Sequence, residues 1–333
     1  MSSLRLETVP PEAWDRFAER ARVPLFSRSI WGEVCREGFG AQTRYLLLQD
    51  ADGSSCAGIA GIVLRILGVR LFQSAFPYGG PVGDSHLFAE LIRRSEKALK
   101  AQGIHSVRIA LPPGADSTYP GHRITRLFHH SLPLRGKKMI DQYRSHTRRD
   151  VRRASRSGAT VEPLTGPGGV DEFYRLYLRS MEMNRAPAKL PISLFRAIES
   201  RLAPSEQAAF FATRVEGRAV SAICLVYAGG VAHALSQGSD STYRSHRPTD
   251  LLIHTCLEDA ARRGMESFDF MASPPQDESL HRYKEKWGAR SGLVLTLDRS
   301  LHPVIGTALE VARRLIRLPP LARLTRAVRR RAS

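Results

Sequence analysis

The stretch FFATRVEGRAVSAICLVYAGGVAHALSQGSDSTYR, residues 210–244, contains three apolar runs cut by two turn signals. Ala208 to Val215, Ala219 to Tyr227 and Val231 to Gln237 read as strands, and Glu216-Gly217 and Gly229-Gly230 supply the residues that let the chain reverse between them. A polar loop follows, then a helical pattern from about Thr249 to Arg263. Gly264 ends the helix, Ser267 to Met271 reads as another strand, and Pro274-Pro275 stops it.

The first half runs in a similar order. Leu4 to Val9 suits a strand, Pro10 a helix start ahead of the Trp14, Phe17 and Ala18 stripe, and Ser27 an N-cap for a helix carrying Ile30, Trp31, Val34 and Cys35. Tyr45 to Leu48 and Ile59 to Ile66 are strand runs across the hairpin-type turn Asp50-Ala51-Asp52-Gly53. A loop rich in glycine and aromatics, Phe76 to Gly83, precedes a helix from Ser85 to Gln102 and a strand from Ile104 to Ala110. The segments LKAQGIHSVRIALPP (99–113) and ARRGMESFDFMASPP (261–275) correspond at an offset of 161 or 162 residues, about half the chain. The matched order of elements points to a degenerate duplication. The expected organisation is 1–135, then 136–298, then a basic amphipathic tail 299–333.

Between the halves, Gly136 to Gly158 has helical character and a poor apolar stripe, with Met139, Ile140, Tyr143 and Val151 on one face. A helical module, Gly169 to Met183 and Pro191 to Leu202, leads into the second meander.

At 333 residues the chain has the length of two ordinary domains. Its apolar and charged fractions are those of a folded protein rather than a disordered one. Met1-Ser2-Ser3 opens without a basic and apolar leader, and no window approaches a spanning helix, so the expected location is cytoplasmic or peripheral at the inner membrane face. Cys35, Cys56, Cys224 and Cys256 are too scattered for a metal or redox pair, and no metal is expected. The net charge of +18 is concentrated: nine arginines against Glu310 in 299–333, and nine basic residues against Asp141 and Asp150 in 135–156. Local fields of this kind attract polyanions.

Three stretches resemble a known family. YRSHTRRDVRRASRSGATVE (143–162) resembles the basic helix that opens the second half of Fem-type (FemAB) proteins. Residues 210–244 are similar to the meander of the GNAT fold. GMESFDFMASPPQDESLHRYKEKWGAR (264–290) resembles the closing strand, loop and Phe-Lys-x-x-Phe-Gly helix of the family, here Tyr283-Lys284-Glu285-Lys286-Trp287-Gly288. The resemblance spans about 30–300 and is clearest over 140–298. It implies an α/β fold of tandem GNAT-like domains, each a mixed, largely antiparallel sheet flanked by helices. It also implies transfer of an acyl or aminoacyl group, from acyl-CoA or aminoacyl-tRNA, to an amine of a saccharide, a muropeptide or a related cell-envelope acceptor. No tightly bound cofactor is implied.

Two departures stand out. Where GNAT proteins carry a glycine-rich pyrophosphate loop, this chain reads Tyr243 to Asp250 without a glycine, which argues against coenzyme A being held there in the usual manner. The long helical hairpin of some bridge-forming members has no counterpart, which counts against a tRNA donor.

Candidate catalytic residues are Lys284, as the cation facing the developing oxyanion, with His233 and Asp269 as base and orienter. Candidate binding residues are Tyr78, Arg148, Arg149, Arg152, Arg247, Asp250 and Tyr283. For each a bland reading stands beside the functional one: a solvated basic face for Lys284 and the arginines, a first-turn helix acid for Asp250, a core plug for Tyr78. Loss of the chemistry would leave a nucleic-acid- or membrane-surface-binding protein on the same scaffold. The nucleic-acid class lacks any helix-turn-helix, zinc-finger or RRM signature.

Overall fold

The computed structural model describes residues 4–66, 68–74, 76–111, 119–134 and 139–302. In chain order the first half contains β1 (Arg5–Thr8), α1 (Pro11–Arg20), α2 (Ser29–Phe39), β2 (Gln42–Gln49), β3 (Ser55–Ile66), β4 (Val69–Ser74), β5 (Pro81–Gly83), α3 (Phe88–Ala101), β6 (Ser106–Ala110) and β7 (Arg123–Pro133). The second contains α4 (Ser145–Arg156), β8 (Thr160–Leu164), α5 (Gly166–Met183), α6 (Ile192–Leu202), β9 (Ala208–Val215), β10 (Arg218–Ala228), β11 (Val231–Ser239), α7 (Pro248–Arg262), β12 (Ser267–Ser273), α8 (Glu278–Glu285) and β13 (Arg290–Ser300).

The meander and the helices of the second half fall where the periodicity places them. One local expectation is corrected. Ser27 does not cap α2: it is buried in a short 3₁₀ turn, and the helix begins at Ser29. The cap comes instead from Asp15 on α1, whose carboxylate accepts from the Ser29 amide at 3.2 Å and from its hydroxyl. A cap supplied by a neighbouring helix is invisible to a local reading.

All the strands join one sheet in the order β1-β2-β3-β4-β6-β13-β7-β12-β11-β10-β9-β8, with β5 beside β3. Read from either end, the order repeats: four strands, a helix-linked fifth, then a sixth. The sixth strands are exchanged. β13, from the second half, pairs antiparallel with β6, while β7, from the first half, pairs antiparallel with β12. The two exchanged strands pair with each other from Arg290↔Ser131 to Asp298↔Arg123. Only β4–β6 and β11–β12 are parallel among the described pairs.

Alternation along the strands splits the core into layers. One layer joins Phe26, Trp31, Val34 and Cys35 of the first half to Phe173, Leu194, Phe195 and Ile198 of the second, so both halves share it. The opposite face packs Phe268, Phe270, Leu252, Cys256 and Trp287. α5 lies so close to β11 that a Cβ at Gly238 would fall 2.4 Å from the backbone of Leu176 and Tyr177. Cys35, Cys224 and Cys256 are buried and unpaired, and burial pushes the Cys35 thiol up to about 12. Among the described residues no helix is long and apolar enough to cross a membrane. The tail expected to bind a membrane lies, beyond His302, outside the described residues.

Candidate active site

β11 and β12 pair for only three residues, Val231↔Ser267, Ala232↔Phe268 and His233↔Asp269. Past that point they part. On β11 the register against β10 shifts between Cys224 and Leu225, which leaves Leu235 as an extra residue. On β12 the register against β7 shifts between Asp269 and Ala272, and Met271 takes a left-handed φ of 63°. Bulges bend a strand and raise its twist, so two of them on diverging neighbours hold a wedge open. A non-glycine residue at positive φ is strained backbone, a feature that clusters at functional sites.

Lys284 enters this wedge from α8. Its ammonium donates to the Met271 carbonyl at 2.6 Å and to Ser273 Oγ at 2.5 Å, and the residue is 4% exposed. Burial lowers its pKa to about 8, against the pull of Asp269 and Asp277. An ammonium has three donors, and these two bonds engage two of them.

Asp269 lies on β12 as well, two residues before Met271. One oxygen accepts from the Met271 amide at 2.8 Å, and the other lies 3.3 Å from His233 Nδ1. The His233 ring packs edge-on against Phe26, with centroids 4.8 Å apart. Tyr78 reaches in from the first-half loop, its ring 6.0 Å from that of His233. The Tyr78 hydroxyl is buried and makes no hydrogen bond of ordinary geometry among the described residues. Burial, reinforced by the charge on Asp269, raises its pKa far above the usual tyrosine value.

The structure therefore gathers Lys284, His233, Asp269 and Tyr78 at one place. A second group forms where α7 begins. Asp250, in the first turn of α7, is buried and ion-paired with Lys286, whose ammonium lies 4.9 Å from the Tyr283 ring and 5.1 Å from that of Trp287. Burial, then the Asp250 charge, raises the Tyr283 pKa, and its hydroxyl donates to Gln237 on β11 at 3.4 Å, across the mouth of the wedge. Arg247 sits at the N-cap with φ 52° and pairs with Asp150 on α4 at 3.4 Å. Pro248 at the first helical position contributes no amide hydrogen, and the Asp250 amide bonds to the Arg247 carbonyl. This helix end is occupied by the chain's own groups.

The arginines of α4 divide. Arg149 and Arg152 line an open depression with Arg153, Arg156 and Ser157. Arg148 does not join them: it is half-buried and donates to the Tyr143 carbonyl at 3.0 Å.

Sequence reasoning missed His129, His130 and His281. His130 Nε2 lies 3.4 Å from His281 Nδ1, and burial, then Lys284 and His281, lowers the His130 pKa to about 4. The signal available was the run Arg123–Pro133, an unread strand carrying two adjacent histidines. The first half has an equivalent parting of β4 and β6, but Ser74 closes it. Its hydroxyl donates to the Gly79 carbonyl at 2.7 Å and accepts from the Ala110 amide at 2.9 Å. Among the described residues no group of three His, Cys, Asp or Glu side chains is placed to hold a metal ion.

Residues 142–285 match the family model described as an acetyltransferase (GNAT) domain. No curated protein sequence matches the chain significantly. Among solved structures, the chain is similar to FemX, at 15% identity and a TM-score of 0.66, covering 92% of this chain and all of that one. It is also similar to a tandem GNAT protein from the clavulanic acid biosynthesis pathway, at 12% identity and a TM-score of 0.61 over 90% and 99% of the two chains. A third is the C-terminal domain of a putative lysylphosphatidylglycerol synthetase from Agrobacterium fabrum, at 16% identity and a TM-score of 0.53 over 86% and 92%. At these identities the likeness is one of fold.

Proposed function

We propose that this chain, a GNAT-superfamily acyltransferase with a FemAB-like tandem fold, moves an aminoacyl group from a tRNA ester to an amine of a cell-envelope acceptor at the β11–β12 wedge. The observation that carries the reading is Lys284. Its buried ammonium is held by two acceptors at the edge of a gap opened by two bulges, with one donor uncommitted among the described residues. With a pKa of about 8 it is charged at neutral pH.

Acyl transfer to an amine needs a neutral nucleophile, stabilisation of the oxyanion and a path for the amine proton. In this reading the donor carbonyl lies in the wedge with its oxygen toward Lys284. The acceptor nitrogen attacks from the side of His233, which takes its proton while Asp269 orients the ring. As the tetrahedral intermediate collapses, the C–O bond breaks and the ribose oxygen leaves as a hydroxyl, taking its proton from His233. Tyr78, brought by the first half, borders the acceptor side.

Two observations favour tRNA over coenzyme A. The start of α7, where the pyrophosphate would bind, is filled by the Asp250–Lys286 and Arg247–Asp150 pairs and lacks the Pro248 amide. The exposed stripe of Arg149, Arg152, Arg153 and Arg156 instead offers repeated contacts for a phosphate backbone. Acyl-CoA is the second reading, favoured by the match to a GNAT acetyltransferase domain and by the likeness to an N-myristoyltransferase solved with myristoyl-CoA. The tail from about residue 302, apolar and arginine-rich, would hold the protein near anionic lipid, where such acceptors reside.

The test is transfer from radiolabelled aminoacyl-tRNA and, in parallel, from labelled acetyl-CoA, to a nucleotide-linked muropeptide and to a glucosamine oligosaccharide. Label moving from tRNA to an acceptor amine is expected. Transfer from acetyl-CoA alone would overturn the donor assignment, and no transfer from either would overturn the reading.

A further inference from the structure

His129 enters the site on the strand that the first half lends to the second, and the chemistry above does not use it. Its Nδ1 lies 4.0 Å from Asp269 Oδ1, while His233 Nδ1 lies 3.3 Å from Asp269 Oδ2, so one buried carboxylate stands between two imidazoles. The His233 side chain is 10% exposed and that of His129 24%, which makes His233 the inner ring and His129 the outer. Gly292 on β13 makes the room: a Cβ there would fall 2.2 Å from His129 Nε2. Other charged or titratable groups close in from each neighbouring element: Lys284 on α8, Tyr78 on the first-half loop, His130 beside His129, His281 against His130, and Asp277 before α8. His130, lowered to about 4, stays neutral and does not compete for a proton near pH 7.

We infer that His129 is the outlet of a proton relay, which takes the nucleophile's proton from His233 through the Asp269 carboxylate to His129 and then to water. This rests on the reading of His233 as the base. The acceptor nitrogen forms its bond to carbon and loses a proton to His233 Nε2. His233 passes its Nδ1 proton to Asp269. The carboxyl group turns, closes on His129 Nδ1 and hands the proton over, and the outer ring sheds one to solvent. As the intermediate collapses the relay runs back: a proton returns from water through His129 and Asp269 to His233 Nδ1 while the Nε2 proton passes to the leaving ribose oxygen, so the ring regains its starting tautomer and no other reactant is consumed. His129 acts through Asp269 and touches no substrate, so it is a positioning residue of the site. Its place on β7 gives the exchanged strand a chemical role beside its structural one.

The experiment follows imidazole ¹⁵N signals against pH in the labelled full-length protein, with neither donor nor acceptor present. In His129→Gln the carboxylate serves one ring, and the midpoint of His233 is expected to rise. In an Asp269→Asn background the same substitution should leave that midpoint nearly unmoved. Gly292→Ala keeps the histidine but displaces its ring, and should shift His233 in the same direction should His129→Gln fail to fold. An unmoved His233 midpoint in the folded variant, or a shift of equal size with Asp269→Asn, overturns the relay. Because no donor is used, the result stands apart from the transfer assay.

Discussion

Lys284 lies in a stretch, His281 to Lys286, whose basic character reads equally well as a solvated helix face. What separates the two readings is the side chain's 4% exposure and its pair of acceptors. If the ammonium faces the developing oxyanion, Lys284→Met should lower kcat on the order of a hundredfold or more, about 3 kcal/mol, with little change in KM, because only contacts stronger in the transition state lower the barrier. Steady-state kinetics on the folded variant read this directly. The pH dependence follows from the lowered pKa. Activity that needs the charged form should fall as pH rises through about 8, and this limb should be missing from the variant. For stability the sign is the reverse. The folded value of about 8 lies below the ordinary 10.5, so the unfolded chain binds more protons between them. Stability contributed by this group therefore climbs across that window, and thermal melts of Lys284→Met should lack the rise. Lys284, His233 and Asp269 could be named from the sequence because a motif and two strand positions mark them. His129 was hidden, since only the exchange of β7 brings it to Asp269.

At the scale of elements, α4 shows how a charged stripe divides by packing. Val151 and Ala154 are buried, and Thr147 Oγ1 donates to the Lys286 carbonyl at 3.2 Å, which fixes the face that meets the protein. Arg149, Arg152 and Arg153 are left exposed. Replacing these three by Ala should weaken tRNA binding and reduce the salt slope of log K by about two to three, since each backbone phosphate contact contributes roughly one counterion. Melting should change little, because exposed substitutions usually stay within about 0.5 kcal/mol. Arg148→Ala is the internal contrast: it removes the bond to the Tyr143 carbonyl and should cost stability while sparing the salt slope. Filter binding over a salt series, with melts of each variant, separates the two. The helix itself was legible in the sequence, and the split between Arg148 and its neighbours was not, because a helix with few apolar residues gives a weak indication of which face is buried. β4, β7, β8 and β13 went unread for a related reason. β7 and β13 lie mid-sheet, yet much of β7 is half-buried and both ends of β13 are exposed, so they lack the continuous apolar runs that betrayed β9, β10 and β11.

For the whole molecule, the repeat seen between residues 99–113 and 261–275 reappears as a strand order that reads alike from both ends. We propose the divisions near 135 and 298 as marks of duplication rather than of separable bodies. β13 belongs to the second half in sequence and lies between β6 and β7 in space, where Asp298 accepts from Arg108 at 2.8 Å and from Arg123 at 3.3 Å. Residues 1–135 expressed alone should therefore not give a stable monomer. Co-expressed with 136–333 they should form a 1:1 complex, which size-exclusion chromatography and circular dichroism would show. Two halves that fold separately and do not associate would contradict the interlocked description. The repeated order of elements was legible in the sequence pattern. The exchange was not, since nothing in a strand's own residues records which neighbour it will find.

The central claim is that the acyl donor lies in the wedge between β11 and β12, and the equivalent parting in the first half, filled by Ser74, offers no second place for it. The most direct measurement is photocrosslinking of a non-hydrolysable aminoacyl-tRNA mimic, with the reactive group on the aminoacyl moiety and sites mapped by mass spectrometry. Labels are expected on residues 234–239 of β11 and 270–273 of β12, reduced when unmodified charged tRNA competes. Labels confined to β4 and β6, or spread over the surface without competition, would contradict it.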